Sequence, residues 1–230
     1  MRKILLNSLF VILALVGLIL VFNKPIEHTV IRHVQPTIKV TKHPKVGHYD
    51  WQKVSSLNTY DTVTARLNPK DMSYAGLISI PSIGINLPIS LGVSDTGLSV
   101  GAGTLTPDQQ MGAGNYALAS HFVQGSNNKD LLFSPIYYKG AVGQKIYLTD
   151  LKHIYTYTTQ TVKVVKPTDV QVIDPVAGKK LVTLITCDYT AERGRVIMQG
   201  ELTDTLDWKD APASLEQKFT KQFKLLNQAS

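Results

Sequence analysis

Gly76-Leu-Ile-Ser-Ile80, Pro81-Ser-Ile-Gly84 and Ile85-Asn-Leu-Pro-Ile89 set the texture of the chain: a short apolar run, a turn, and a second short apolar run. Each run is too short for a stable helix and is bounded by Gly or Pro, so each is read as a strand. The proline inside the second run suggests an edge strand, because it removes one ladder donor. The same texture recurs downstream. Asn115-Tyr-Ala-Leu-Ala-Ser120 reads as a strand, and Lys145 to Thr149 with Ile154 to Thr158 as a hairpin around Asp150. Thr161 to Val165, Leu181 to Thr186 and Arg195 to Leu202 complete the set. Many short strands at regular spacing, with few helical patterns, indicate an all-β barrel or sandwich. Asp130-Leu-Leu-Phe-Ser-Pro135 is expected to be a helical turn ended by its proline.

Both ends of the chain differ from this texture. Residues Ile4 to Phe22 are apolar except for Asn7, Ser8 and Gly17, and Arg2 and Lys3 precede them. That length suits a membrane-spanning helix of about 20 residues. It exceeds a signal-peptide core, and no small-x-small cleavage site follows. Residues 1–22 are therefore read as an uncleaved signal anchor, with the basic flank cytoplasmic and the rest outside. Residues 23–71 are polar, β-branched and dotted with proline, and read as a stalk, with a short helix expected between Tyr49 and Leu67. The barrel domain is placed at 72–205. A tail follows at 206–230, where Leu215, Phe219, Phe223 and Leu226 mark one face of a short amphipathic helix packed on the barrel. No second long apolar run is present, so no C-terminal anchor is expected.

The whole chain has 230 residues, is 43% hydrophobic and carries a formal net charge of +7. Its basic residues are scattered, with neither a compact Lys/Arg block nor a finger motif. The charge therefore reads as weak attraction to an anionic envelope, and nucleic-acid binding is not expected. His28, His33, His43 and His48 crowd the stalk, but prolines between them argue against a shared helical face, so no metal site is assigned.

Cys187 is the only cysteine. Outside the cell it has no internal disulfide partner, which leaves a buried hydrophobe, an intermolecular bridge or a nucleophile. A nucleophilic thiol needs a basic neighbour. His121 ends an apolar strand and opens a polar loop, where functional side chains commonly project, although a structural histidine fits that position equally. His153 sits in the expected hairpin turn and reads as a surface residue. Acyl transfer also needs stabilisation of an oxyanion. Arg195 starts the strand after the Asp188–Gly194 connection and so returns beside Cys187, whereas Arg193 lies within the loop. The competing reading of Arg195 is a surface arginine in a hairpin.

Thr183-Leu-Ile-Thr-Cys187, Arg195 at the head of a final strand, Ala119-Ser120-His121 upstream and Lys166-Pro-Thr-Asp-Val170 together resemble the signature of sortases, the cysteine transpeptidases of Gram-positive bacteria. The resemblance covers about residues 72–205. The N-terminal anchor makes it similar to the class A, housekeeping type. It implies an eight-stranded β-barrel. It also implies that Cys187 attacks the Thr–Gly carbonyl of a Leu-Pro-x-Thr-Gly sorting signal on a surface protein, and that an amine of a cell-wall (peptidoglycan) precursor resolves the thioester. His121 would protonate the leaving amine and deprotonate the incoming one, and Arg195 would hold substrate and oxyanion. Ala119, Val172 and Ile173 match positions lining the family's peptide groove, and Thr183 and Thr186 come from the motif; these five are the expected substrate-binding residues. No cofactor is implied. Some members bind calcium through carboxylates ahead of the histidine. Here Gly103 to Gln110 offers Asp108 alone among amides, so no calcium dependence is expected.

Two further readings remain. A cysteine peptidase would use the same Cys/His pair with water as acceptor. A non-catalytic envelope adhesin would merely bury its cysteine, and its thiol would resist modification while folded.

Overall fold

The computed structural model describes residues 2–34, 36–44, 46–50, 57–67, 73–187, 194–220 and 224–225. Part of the connection between Cys187 and Arg195, including Arg193, lies outside these residues, as do Phe223 and Leu226 of the tail.

Eight strands close into a barrel: β2 (Gly76–Ile80), β3 (Ile85–Ser90), β4 (Ala102–Thr104), β5 (Asn115–Ala119), β6 (Lys145–Thr149), β7 (His153–Val165), β8 (Leu181–Cys187) and β9 (Arg195–Asp207). Their order around the barrel is β2-β3-β4-β5-β8-β9-β7-β6. The eight-stranded barrel that the family resemblance implied is therefore present. Closure removes free edges, so β3 is not an edge strand. Pro88 is accommodated because the parallel pairing with β4 begins only at Ile89, opposite Ala102. The two short runs read as Ile154–Thr158 and Thr161–Val165 form one strand, β7, pairing with β9 through register shifts at Thr156/Tyr157 and Thr159/Thr161. Pro135 opens a helix rather than ending one: α4 spans Ser134–Lys139, where the missing N–H has no helical partner to lose.

The residues Ile78, Ile80, Tyr116, Leu118, Val182, Leu184, Val196 and Met198 fill the barrel interior. Period-two alternation then puts Asn115, Ala117, Ala119, Thr183, Ile185, Ile197 and Gln199 on the outer face of the β5-β8-β9 sheet. That outer face carries the site.

The N-terminal helix α1 spans Arg2–His33 and contains Pro25. Its residues Leu9 to Phe22 expose large apolar side chains, and the helix is long and apolar enough to cross a membrane. Beyond Phe22 it continues and packs on the barrel domain. Glu27 is 1% exposed and takes bonds from Lys24 Nζ at 3.1 Å and Thr59 Oγ1 at 3.1 Å. Thr59 begins α2 (Thr59–Leu67), which also packs on α3 (Asp95–Val100). Val40, with Ile38 of β1 (Thr37–Ile38), joins a second core beside the barrel. Helix α5 (Ala213–Thr220) docks fully buried Phe219 into that core, as expected of a packed tail helix. Strand β1 pairs in parallel with β10 (Lys224–Leu225). Among the described residues, much of 23–67 thus packs against the barrel domain rather than standing off it.

Candidate active site

Three barrel strands bring the candidate residues to one end of the sheet. Strands β8 and β9 run antiparallel, with Thr183 opposite Gln199 and Cys187 opposite Arg195. Strands β5 and β8 run parallel, and their last aligned pair is Ala119 and Ile185. The ladder extends one step further, since Ser120 N–H donates to Ile185 O at 3.2 Å and Thr186 Oγ1 donates to Ser120 O at 3.0 Å. Continuing that register sets position 121 beside position 187. Cys187 and Arg195 thus stand in register, and the chain leaving β5 carries His121 to the same end of the sheet, although the three come from separate stretches of sequence.

Thr186 belongs to the inner parity of β8. It is buried, and its hydroxyl is committed to the Ser120 carbonyl. Expected from the motif as a substrate-binding residue, it sits on the inner face and ties down the residue preceding His121. Thr183 has the outer parity but is fully buried. Its Oγ1 donates to Asn115 Oδ1 at 2.7 Å and accepts from Gln199 Nε2 at 2.9 Å. Asn115 Nδ2 in turn donates to the carbonyls of Val172 and Asp174, both at 3.1 Å. Val172 and Ile173 lie in a single 3₁₀ turn, Val170–Ile173, and are half-buried. This turn is laid over one end of the outer face, while Ala119, also half-buried, lies nearer the other. The result is an outer face with an apolar wall at one end and the three candidate catalytic positions at the opposite end.

His121 opens a loop held from several sides. Its carbonyl accepts from Phe133 N–H at 3.2 Å, and Phe122 and Leu132 form a β-bridge. Val123 N–H donates to Ser134 Oγ at 2.7 Å. The Phe122 ring meets Tyr137 edge-on, with centroids 5.5 Å apart. Helix α1 grips the same loop: Arg32 Nη1 bonds Asp130 Oδ2 at 2.5 Å, Arg32 Nη2 bonds the Asn127 carbonyl, and Asn128 Nδ2 lies 3.1 Å from His28 Nδ1. Burial lowers the pKa of His121 to about 4, opposed by the charge of Asp95 and assisted by that of Lys24. The imidazole is therefore neutral at neutral pH. Arg195 is half-buried, and its Nη1 donates to Gly194 O at 3.1 Å. His153 lies in the β6–β7 turn near Asp150 and Asp207, far along the chain from the site.

Sequence reading did not single out Asn115, Gln199 or the α1 residues that hold the loop. Strand alternation carried a signal for the first two, since both share the outer parity of Thr183. The loop of residues 104–110 is closed by an amide: Gln109 Oε1 accepts from Thr106 Oγ1 at 2.6 Å, and Gln109 Nε2 donates to Ala117 O at 2.9 Å. Among the described residues no group of three or more His, Cys, Asp or Glu side chains is placed to hold a metal ion.

Comparison with known proteins adds four findings. The family model described as Sortase domain matches residues 78–203. Sortase A of Streptococcus agalactiae is 39% identical over 231 residues, covering 95% of this chain and 93% of its own length. Sortase A of Listeria monocytogenes is 32% identical over 209 residues, covering 86% and 92%. The crystal structure of the Listeria protein superposes with a TM-score of 0.57 at 39% identity, covering 66% of this chain and 97% of its own.

Proposed function

This chain belongs to the sortase family of cysteine transpeptidases, class A type, and on that premise we propose that it cleaves Leu-Pro-x-Thr-Gly signals on surface proteins and joins them to a cell-wall precursor amine. The observation that supports the reading most is the convergence of Cys187, His121 and Arg195 at one end of the β5-β8-β9 face.

In the proposed cycle the Cys187 thiol passes its proton to the neutral His121 imidazole as sulfur attacks the Thr–Gly carbonyl carbon. Arg195 and nearby amides balance the oxyanion. His121 then gives the proton to the departing glycine nitrogen, the C–N bond breaks, and a Thr thioester remains on sulfur. An incoming amine attacks that carbonyl, loses a proton to His121, and the proton returns to sulfur as the C–S bond breaks. A neutral resting imidazole suits the first step, because it can accept the proton. Ala119, Val172 and Ile173 provide the apolar contacts for the Leu and Pro of the signal, while Thr183 acts beneath them. No cofactor takes part.

Helix α1 serves as the single membrane anchor, with Arg2 and Lys3 on the cytoplasmic side and the barrel outside.

Incubating the full chain with a Leu-Pro-x-Thr-Gly peptide and an excess of a glycine-based amine tests this reading. Mass spectrometry should show ligated product from the wild type and none from Cys187→Ala. Hydrolysed peptide without ligated product would favour the peptidase reading, and no turnover with an unreactive thiol would favour the adhesin.

A further inference from the structure

We propose that Asn115, Thr183 and Gln199 form a polar brace whose role is to hold the Val172–Asp174 backbone as the groove wall, making them positioning residues for peptide recognition. The inference rests on the sorting-signal reading above.

The connection from β7 to β8 runs from Lys166 to Lys180 with little to hold it. Its 3₁₀ turn, Val170–Ile173, has no buried residue. Val170 is 59% exposed and Val176 47% exposed. Its internal bonds, such as Val172 N–H to Asp169 O at 3.4 Å and Asp174 N–H to Gln171 O at 3.2 Å, are local and fix its shape without fixing its place. Among the described residues, the ties from its middle to the barrel come from two amide side chains. Asn115 Nδ2 reaches Val172 O and Asp174 O, and Gln199 Nε2 approaches Val172 O at 3.5 Å. Further along, Lys179 and Glu201 pair at 3.8 Å, both half-exposed, which adds little.

The polar atoms of Asn115 and Thr183 are all matched. Asn115 is 5% exposed, uses both N–H donors on the two carbonyls and accepts the Thr183 hydroxyl proton on its oxygen. Thr183 links that oxygen to Gln199 on the next strand. The three residues sit on three adjacent strands at matching parity, so rigid sheet transmits its geometry to an otherwise loosely attached turn. An apolar residue at position 115 would fill the space but leave two backbone carbonyls of the wall without their donors, and one at 183 would take away the hydroxyl that orients the Asn115 amide. The wall would then drift, and the fit to the Leu and Pro side chains of the signal would loosen while the chemistry at the far end stayed intact.

The test is steady-state kinetics of the full chain in detergent, with Leu-Pro-x-Thr-Gly peptide and a glycine-based amine. For Asn115→Ala and Thr183→Val the peptide KM should rise about tenfold or more, while kcat, the amine KM and the pH–rate profile stay within about twofold of wild type. Thr183→Ser, which keeps the hydroxyl, should stay near wild type. Adding Val172→Ala to Asn115→Ala should cost less than adding it to the wild type, because a displaced wall no longer presents Val172. If Asn115→Ala does not fold, Gln199→Leu reads the same KM. An unchanged peptide KM in these variants, or a fall of kcat together with both KM values, overturns the brace even when the wild type ligates normally. A wild type that forms no ligated product overturns the sorting-signal reading instead, and the brace with it.

Discussion

Cys187 and Arg195 are Cα partners across the antiparallel β8–β9 pair, the last residue of one strand facing the first of the next. The ladder fixes their separation. A guanidinium so placed can meet the negative charge that develops on the carbonyl oxygen of an acyl group under attack at residue 187. Arg195→Ala is expected to lower kcat/KM by about a hundredfold or more, the scale of losing an oxyanion donor. Arg195→Lys should recover only part of this, since an ammonium keeps the charge but loses the planar fork. Because Arg195 is half-buried on the outer face, melting temperatures of both variants should stay close to wild type. A large loss of thermal stability alongside the lost activity would instead make Arg195 a structural residue.

The imidazole of His121 ties stability to pH. Its folded pKa is about 4, lowered chiefly by burial, against about 6.5 in an unfolded chain. Between these values the unfolded state binds the additional proton. The contribution is therefore fully present above about pH 6.5 and is lost as pH falls toward 4. At most about 3 kcal/mol is involved, and partial exposure reduces it. Urea unfolding at pH 7.5 and 4.5 should show the wild type weakened at the lower pH, and His121→Gln should be weakened less. Equal losses in both proteins would place the acid sensitivity elsewhere.

Helix α1 runs from an apolar segment long enough to cross a membrane to the loop that His121 opens. Asn128 is buried and bonds the Gln124 carbonyl at 2.7 Å as well as approaching His28. Asn128→Ala should cost about 1–3 kcal/mol, as for other buried bonded polar groups. The Arg32–Asp130 pair is more exposed, with side chains 34% and 50% accessible, so Arg32→Ala should cost no more than about 1 kcal/mol. Its effect should appear instead as faster amide exchange across residues 124–132. Exchange unchanged in Arg32→Ala would mean that α1 lies beside the loop without restraining it.

Legibility in the sequence followed from how local each signal was. The β2–β3 hairpin and the β6–β7 turn were readable because apolar runs and turn residues lie within a few positions of one another. Strand β4 was not, because Gly101-Ala-Gly-Thr104 has almost no strand propensity. Its glycines answer to space: a Cβ on Gly101 would come within 2.2 Å of Pro88 O. The long β7 read as two pieces because its bulges break the alternation. At the candidate site, Cys187 and His121 drew notice through residue chemistry. Thr186 was misplaced because a motif gives identity without parity, and one step along β8 moves a side chain from groove to core. Asn115 and the grip of α1 depend on pairings across 57 and 98 positions respectively, and no local pattern encodes those.

The loop before β5 gives the last expectation. In family members that bind calcium, carboxylates occupy this stretch; here Gln109 closes it by bonding Thr106 and both the N–H and the carbonyl of Ala117, at 2.6, 3.3 and 2.9 Å. An amide side chain supplies a donor and an acceptor at once, so it can satisfy a loop backbone without an ion, while the one carboxylate of residues 103–110, Asp108, falls well short of what calcium requires. Activity is therefore expected to be the same in chelator and in added calcium. Gln109→Ala should lower stability by about 1 kcal/mol through the lost bonds, and calcium should not restore it. Measuring ligation rate and melting temperature for both proteins across a calcium titration decides the matter. A wild type that gains activity with calcium would show that oxygen ligands assemble in this loop despite its amides.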